Sequence, residues 1–266
     1  MHPTALVLVP LATLALPCGL RAADTEANNY WVRASVSAWL PNLSGDLAYQ
    51  SGSSSPSTVS SDFLGLGDTE LAPMLDLDVK PPFVPLIPNL RLGFYHFDTE
   101  GSKTLTQNFT YGGRTYPVGT TVSTEATFTD LYTELNWQPL DLDLVGVGFG
   151  LGLHSLQARL AVSGSGSSEA YDELVLIPVL ALRAHVNPLD MLAFEAEING
   201  LSLNAGDFDG TFADLRLQAI WRPLNWLGVL GGYRHIMLDA EIEDGSSKLT
   251  IDLSLSGPFL GALAQF

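Results

Sequence analysis

Two aspartates two positions apart, Asp76 and Asp78, have a spacing that suggests chemistry. On an extended strand, side chains at i and i+2 share a face, so these two would form a carboxylate pair. With a histidine such as His235, and Asp239 near a loop, the pair has the components of a hydrolase working by general acid–base catalysis. The same period-two rule places Arg33, Asp130, Glu134, Arg183, His185, Glu195, Glu197, Asp214 and Arg216 on the polar faces of their strands. Opposite charges gathered this way have two readings. They form a buried, mutually paired network, or they line a narrow pore or ion-binding site. Arg234 and His235 straddle an interruption of the alternation and are assigned no face.

Other chemical readings are weaker. His154 and Ser155 are adjacent, so on a strand they point to opposite faces and cannot act as base and nucleophile. The glycines from Gly146 to Gly152 lie within one alternating strand, whereas a nucleotide fingerprint needs a strand, a glycine turn and a helix. They are expected to make room for large neighbours such as Tyr132, or else to open a cleft. The acidic stretch Asp239, Glu241, Glu243 and Asp244 lacks the regular oxygen-ligand spacing of a calcium loop and reads as solvated. No catalytic residue, metal site or cofactor is assigned.

The elements that position these residues are strands. Tyr30, Val32, Ala34, Val36, Ala38 and Leu40 alternate with Trp31, Arg33, Ser35, Ser37 and Trp39, and similar runs recur near 129–137, 145–153 and 213–221. Each has about the 9–11 residues that cross a bilayer when tilted. Trp137-Gln138-Pro139-Leu140-Asp141, Val186-Asn187-Pro188-Leu189-Asp190 and Trp221-Arg222-Pro223-Leu224-Asn225 repeat one short turn. A longer version runs from Val79 to Asn89. Trp137, Trp221 and Trp226 stand where an interfacial aromatic girdle would lie. Longer polar segments, 50–68, 99–121, 162–171, 204–209 and 241–248, read as loops of the opposite rim. The strand cores are then 29–48, 69–80, 89–105, 121–137, 142–162, 172–186, 191–203, 210–222, 227–241 and 248–266. The fold class is all-β: a transmembrane antiparallel barrel of about ten strands, or eight or twelve if 107–121 is read differently.

Composition narrows the setting. Formal net charge is −17, with 12 Lys+Arg against 29 Asp+Glu, which excludes nucleic acid as a partner. Outer-membrane lipid and lipopolysaccharide, bridged by divalent cations, suit such an acidic surface. Ala5 to Leu16 is an apolar run of signal-peptide length, followed by Ala22-Ala23, with cleavage expected after Ala22 or Ala23. Residues 1–22 are thus read as a cleaved signal peptide and 23–266 as a single domain. The one cysteine, Cys18, lies inside that segment, so no disulfide holds the remainder together.

The chain ends Gly257-Pro258-Phe259-Leu260-Gly261-Ala262-Leu263-Ala264-Gln265-Phe266, with Leu260, Ala262, Ala264 and Phe266 on one strand face. This ending resembles the sorting signal by which the barrel assembly machinery reads outer-membrane barrels. With Asp62-Phe63-Leu64-Gly65-Leu66-Gly67-Asp68 and Pro85-Leu86-Ile87-Pro88-Asn89-Leu90-Arg91-Leu92, the chain resembles a family of uncharacterised proteobacterial outer-membrane β-barrel proteins. The resemblance implies export to the outer membrane of a Gram-negative bacterium and no catalytic residue. The expected function is a non-enzymatic barrel, structural or a narrow passage for small solutes. A rim-located protease or lipid hydrolase using the inward carboxylates and a histidine is the competing class. A soluble periplasmic β-protein is a third. Oligomeric state is left open.

Overall fold

The computed structural model describes residues 30–51, 58–66, 69–81, 87–111, 113–164, 166–205, 208–244 and 247–266. The expected signal peptide, 1–22, lies outside these residues. In chain order the elements are β1 (Val32–Trp39), β2 (Asn42–Ser51), β3 (Thr58–Ser60), α1 (Ser61–Leu64), β4 (Ala72–Val79), β5 (Asn89–Thr104), β6 (Phe109–Tyr111) and β7 (Arg114–Tyr116). They continue as β8 (Thr121–Asp141), β9 (Val145–Gly164), β10 (Ser167–Leu189), β11 (Leu192–Ala205), β12 (Phe208–Leu224), β13 (Leu227–Asp244) and β14 (Ser247–Gln265).

Neighbouring strands pair antiparallel around a closed ten-stranded barrel, in the order β1-β4-β5-β8-β9-β10-β11-β12-β13-β14 and back to β1. Closure runs from Arg33 opposite Gln265 to Trp39 opposite Phe259. β1 and β2 together make one wall strand. Its register with β14 is unchanged from Trp39–Phe259 to Asn42–Ser256, and the ladder is interrupted where Pro41 and Pro258, which have no N–H to donate, lie between. Both ends of the described chain sit at the short-turn rim. There Phe266 donates its N–H to the Val32 carbonyl at 2.9 Å, and Trp31 N–H donates to the Phe266 carbonyl at 2.6 Å.

Alternation decides which side of the wall each residue occupies. Val36, Leu75, Leu131, Leu135, Phe149, Leu180, Phe194, Leu217, Val229 and Leu260 are exposed on the outer face, although each is large and apolar. A band of this kind is stable only against lipid. Trp31, Trp221 and Trp226, exposed at the short-turn rim, supply the aromatic edge of the band.

Further from that rim the outer face changes character. On β8 the outward residues Thr121, Ser123, Glu125, Thr127 and Thr129 are polar, and hydroxyls meet across strands, Ser44 with Ser254 at 2.8 Å and Thr104 with Thr121 at 2.9 Å. The stretch from Thr121 to Thr129, tilted by about 40°, carries the wall roughly 20 Å past the apolar band. Three segments expected to be long loops are therefore mostly strand. The 162–171, 204–209 and 241–248 segments belong to β9–β10, β11–β12 and β13–β14, whose ends lie only a few residues apart. Their polarity follows from the water outside the wall at this height. Within 50–68 the described residues fold as β3–α1 beyond the end of β2. Of 99–121 the first six residues are still β5, while the chain between Thr104 and Thr121 carries the β6–β7 hairpin.

Candidate functional site

At the height of the lipid band the barrel interior is a network of charges. Arg33 and Asp78 are 3.3 Å apart, and Arg33 also donates to Glu195 at 2.6 and 3.1 Å. Arg91 donates to Asp76 at 2.9 Å and pairs closely with Glu197. Arg183 donates to Glu134 at 2.8 Å and lies 3.4 Å from Asp78. Arg216 donates to both oxygens of Asp76 at 3.0 Å and to the Tyr132 hydroxyl at 2.9 Å, while that hydroxyl donates to Asp76. These contacts join residues from strands on opposite sides of the barrel, so the network crosses the interior.

A second set lies beside it. Arg234 is 0% exposed and donates through Nε and Nη2 to the two oxygens of Asp214, at 3.0 and 2.7 Å. Its guanidinium also faces the rings of Tyr95 and Trp39, 4.7 and 5.5 Å from their centroids. His154 Nδ1 is 2.7 Å from Asp130 Oδ2, and its ring stacks on Tyr132 at 5.2 Å. Two aligned hydrogen bonds and several ring faces replace the hydration that Arg234 loses on burial.

At the short-turn rim a polar cavity of about 50 Å³ lies among Tyr30, Arg33, Asn136, His185 and Glu195. Lys80, just beyond β4, closes over Tyr30 with its ammonium 4.7 Å from the ring centroid. Burial holds that ammonium below its usual pKa, against the opposing pull of Asp141 at 3.8 Å. His185 lies 3.6 Å from the same aspartate.

The structure thus places Arg33, Asp76, Asp78, Asp130, Glu134, Arg183, Glu195, Glu197, Asp214 and Arg216 on the interior face, Asp130 hydrogen-bonded to His154 and the others in ion pairs. Sequence reasoning left out Arg91, His154 and Arg234. The signal was available for Arg91, whose face continues through Gly93, Tyr95 and Phe97, opposite Leu90, Leu92 and Phe94. For Arg234 the supposed interruption does not exist. Leu230, Arg234, Ile236 and Ala240 are all buried on one side, with Val229, Tyr233 and Met237 exposed on the other. Gly231 and Gly232 had hidden that parity.

This parity separates the parts of the suggested hydrolase. His235 and Asp239 share parity with exposed Tyr233 and Met237, on the outer face of β13, while Asp76 and Asp78 lie inside. The wall stands between them. The acidic stretch from Asp239 to Asp244 is strand rather than loop. Among the described residues, no group of three or more His, Cys, Asp or Glu side chains is placed to hold a metal. The Gly146-to-Gly152 ladder serves packing, though with different neighbours from those expected. A side chain at Gly146 would strike the His185 ring, and one at Gly152 would meet Val179 at 2.9 Å. Room for Tyr132 comes instead from Gly93 on the adjoining strand.

Beyond the charges the interior turns apolar. Phe97, Phe128, Leu156, Val162, Leu43 and Leu253 are buried there, together with Leu64 from α1 and Phe109 from β6. The wall therefore inverts. At membrane height it is apolar outside and polar inside, and in its projecting part it is polar outside and apolar inside, as in a water-soluble barrel.

No protein-family model matches the chain. No curated protein matches it either. Among solved structures it is similar to the outer-membrane protease OmpT from Escherichia coli, with TM-score 0.55 and 7% identity, over 88% of this chain and 97% of that one. The transport unit of the autotransporter AIDA-I from Escherichia coli aligns with TM-score 0.47 and 10% identity, over 92% and 93% of the two chains. Ail of Yersinia pestis aligns with TM-score 0.35 and 10% identity, over 88% and 99%. At 7% identity the likeness to OmpT concerns architecture alone, that of an outer-membrane β-barrel.

Proposed function

We propose that this chain is a non-enzymatic integral barrel of a Gram-negative outer membrane with a structural role. Its interior would be closed to solutes, and its projecting half would face the outside. The observation that carries this reading is the charge network crossing the interior. Each of Arg33, Arg91, Arg183, Arg216 and Arg234 is engaged by carboxylates, and the polar cavity that the first four line at the short-turn rim measures only about 50 Å³. A ten-stranded barrel is little wider than one that side chains fill completely. The network thus favours the structural role over the narrow passage. The short motifs quoted above support membership of the proteobacterial outer-membrane barrel family. Phe266, exposed on the lipid side of the closing strand, supports delivery by the barrel assembly machinery. The acidic projecting wall favours contact with lipopolysaccharide through divalent cations.

The test is a paired assay on the refolded barrel: swelling of proteoliposomes in uncharged sugars, and hydrolysis of peptide and phospholipid substrates. The expected wild-type result is neither swelling nor turnover. The Asp76→Asn, Asp78→Asn double variant is expected to unfold at lower urea with both readouts unchanged. Wild-type turnover that this double variant abolishes would overturn the proposal in favour of a hydrolase.

A further inference from the structure

A sealed interior does not account for the apolar chamber above the charges, nor for the way its wall is completed. β4 stops at Ala72, opposite Trp39, while β2 and β5 continue outward. β4 pairs with β5 only from Leu90 to Tyr95, and β2 gains only the short β3, along Asp46 to Ala48. The gap is occupied by α1. Ser60 caps this single turn by accepting the Phe63 N–H at 3.1 Å, and Gly65 ends it in the left-handed region at φ 79°. The turn lies so close to β5 that a side chain at Gly101 would strike the Gly65 carbonyl, and Lys103 donates to the Asp62 carbonyl.

The β6–β7 hairpin lies over the chamber from the other side. Tyr111 and Tyr116 direct their hydroxyls to the carbonyls of Leu160 and Val162 on β9, at 3.3 and 3.4 Å, and Arg114 pairs with Glu169. The Phe63 and Phe109 rings meet edge to face, 6.1 Å apart, where α1 and the hairpin touch. Between these elements and the wall lies a cavity of about 50 Å³, bounded by Leu43, Leu64, Phe109, Phe128, Leu160 and Leu253. That is several times the ~10–15 Å³ a water needs, yet the walls supply few of the polar partners a water requires.

We infer that this cavity is a binding site for a small, uncharged, hydrocarbon-like molecule, admitted through the wall where α1 stands in for a strand. The tyrosine hydroxyls are spent on wall carbonyls, so a polar ligand would lose its hydration without replacement. The exposed Asp98, Glu100, Glu125, Asp172 and Glu173 on the surrounding strands repel an anionic one. The site does not depend on whether the interior below conducts.

The test uses crystals of the barrel soaked in bromobenzene, with the bromine located by anomalous scattering, and 4-bromobenzoate as an anionic control of the same ring. Bromobenzene is expected within the cavity of the wild type, and 4-bromobenzoate is not. Ala158→Phe, which fills the space from β9, is expected to abolish the peak, and Ala126→Leu serves the same purpose if that variant fails to fold. In detergent solution, saturating bromobenzene is expected to raise the Tm of the wild type and leave the filled variant unmoved. A wild-type cavity without bromine overturns the site. Bromine only on the lipid-facing wall overturns it too, as does a Tm shift that survives filling. Equal occupancy by 4-bromobenzoate overturns the preference for an uncharged ligand.

Discussion

Arg234 is the most completely enclosed charge in the network, and its stability depends on keeping its partners together. Removing one member of a buried pair strands the other, at a cost of about 3–5 kcal/mol, whereas replacing both by apolar groups of similar volume is often neutral. Asp214→Ala is therefore expected to destabilise the barrel by about that amount in urea unfolding from detergent micelles. The Asp214→Leu, Arg234→Met double variant is expected near wild type. A single variant as stable as wild type would mean that Arg234 finds its compensation elsewhere, in the rings of Tyr95, Trp39 and Tyr132. At this scale much of the interior face was legible, because period-two alternation assigns a face without any knowledge of contacts. Which arginine meets which carboxylate was not legible. Arg33 with Glu195, and Arg216 with Asp76, are separated by 162 and 140 positions and meet only once the wall curves around.

Among elements, the strand pairs show how glycine on one strand makes room for a ring on the next. Gly93 lies beside the Tyr132 ring that links Arg216 to Asp76, so Gly93→Val must displace it. Overpacking of this kind is expected to cost about 1–3 kcal/mol, visible as a lower urea midpoint. The hairpin behaves differently, since it packs on the wall without belonging to it. Deleting 106–118 is expected to leave insertion and the membrane-height strands intact. Hydrogen exchange is expected to lose protection along Leu156 to Val162 and retain it along Val147 to Leu153, since local opening follows local packing. Uniform loss of protection would mean that the outer and inner halves unfold as one unit. Strand ends were the least legible elements. The Gly and Ser residues that dominate 162–171 have loop composition, and only the height of the segment above the lipid band explains why most of it is strand.

Across the whole molecule the sparse cations are concentrated inside. Arg33, Arg91, Arg216, Arg222 and Arg234 are buried and Arg183 is half-buried, leaving a predominantly acidic exterior on a chain of net charge −17. That distribution suits a barrel that spends its arginines on closing its interior, and the number of barrel strands was readable because each wall strand carries its own lipid-facing stripe. The central claim, that the charge network closes the barrel at membrane height, is tested most directly by single-channel recording of residues 23–266 refolded into a planar bilayer. The wild-type barrel is predicted to insert and remain silent at both polarities. Discrete conductance steps in the wild type, shifted by Asp76→Asn or Arg216→Ser, would contradict it and make the same residues the lining of a conduit.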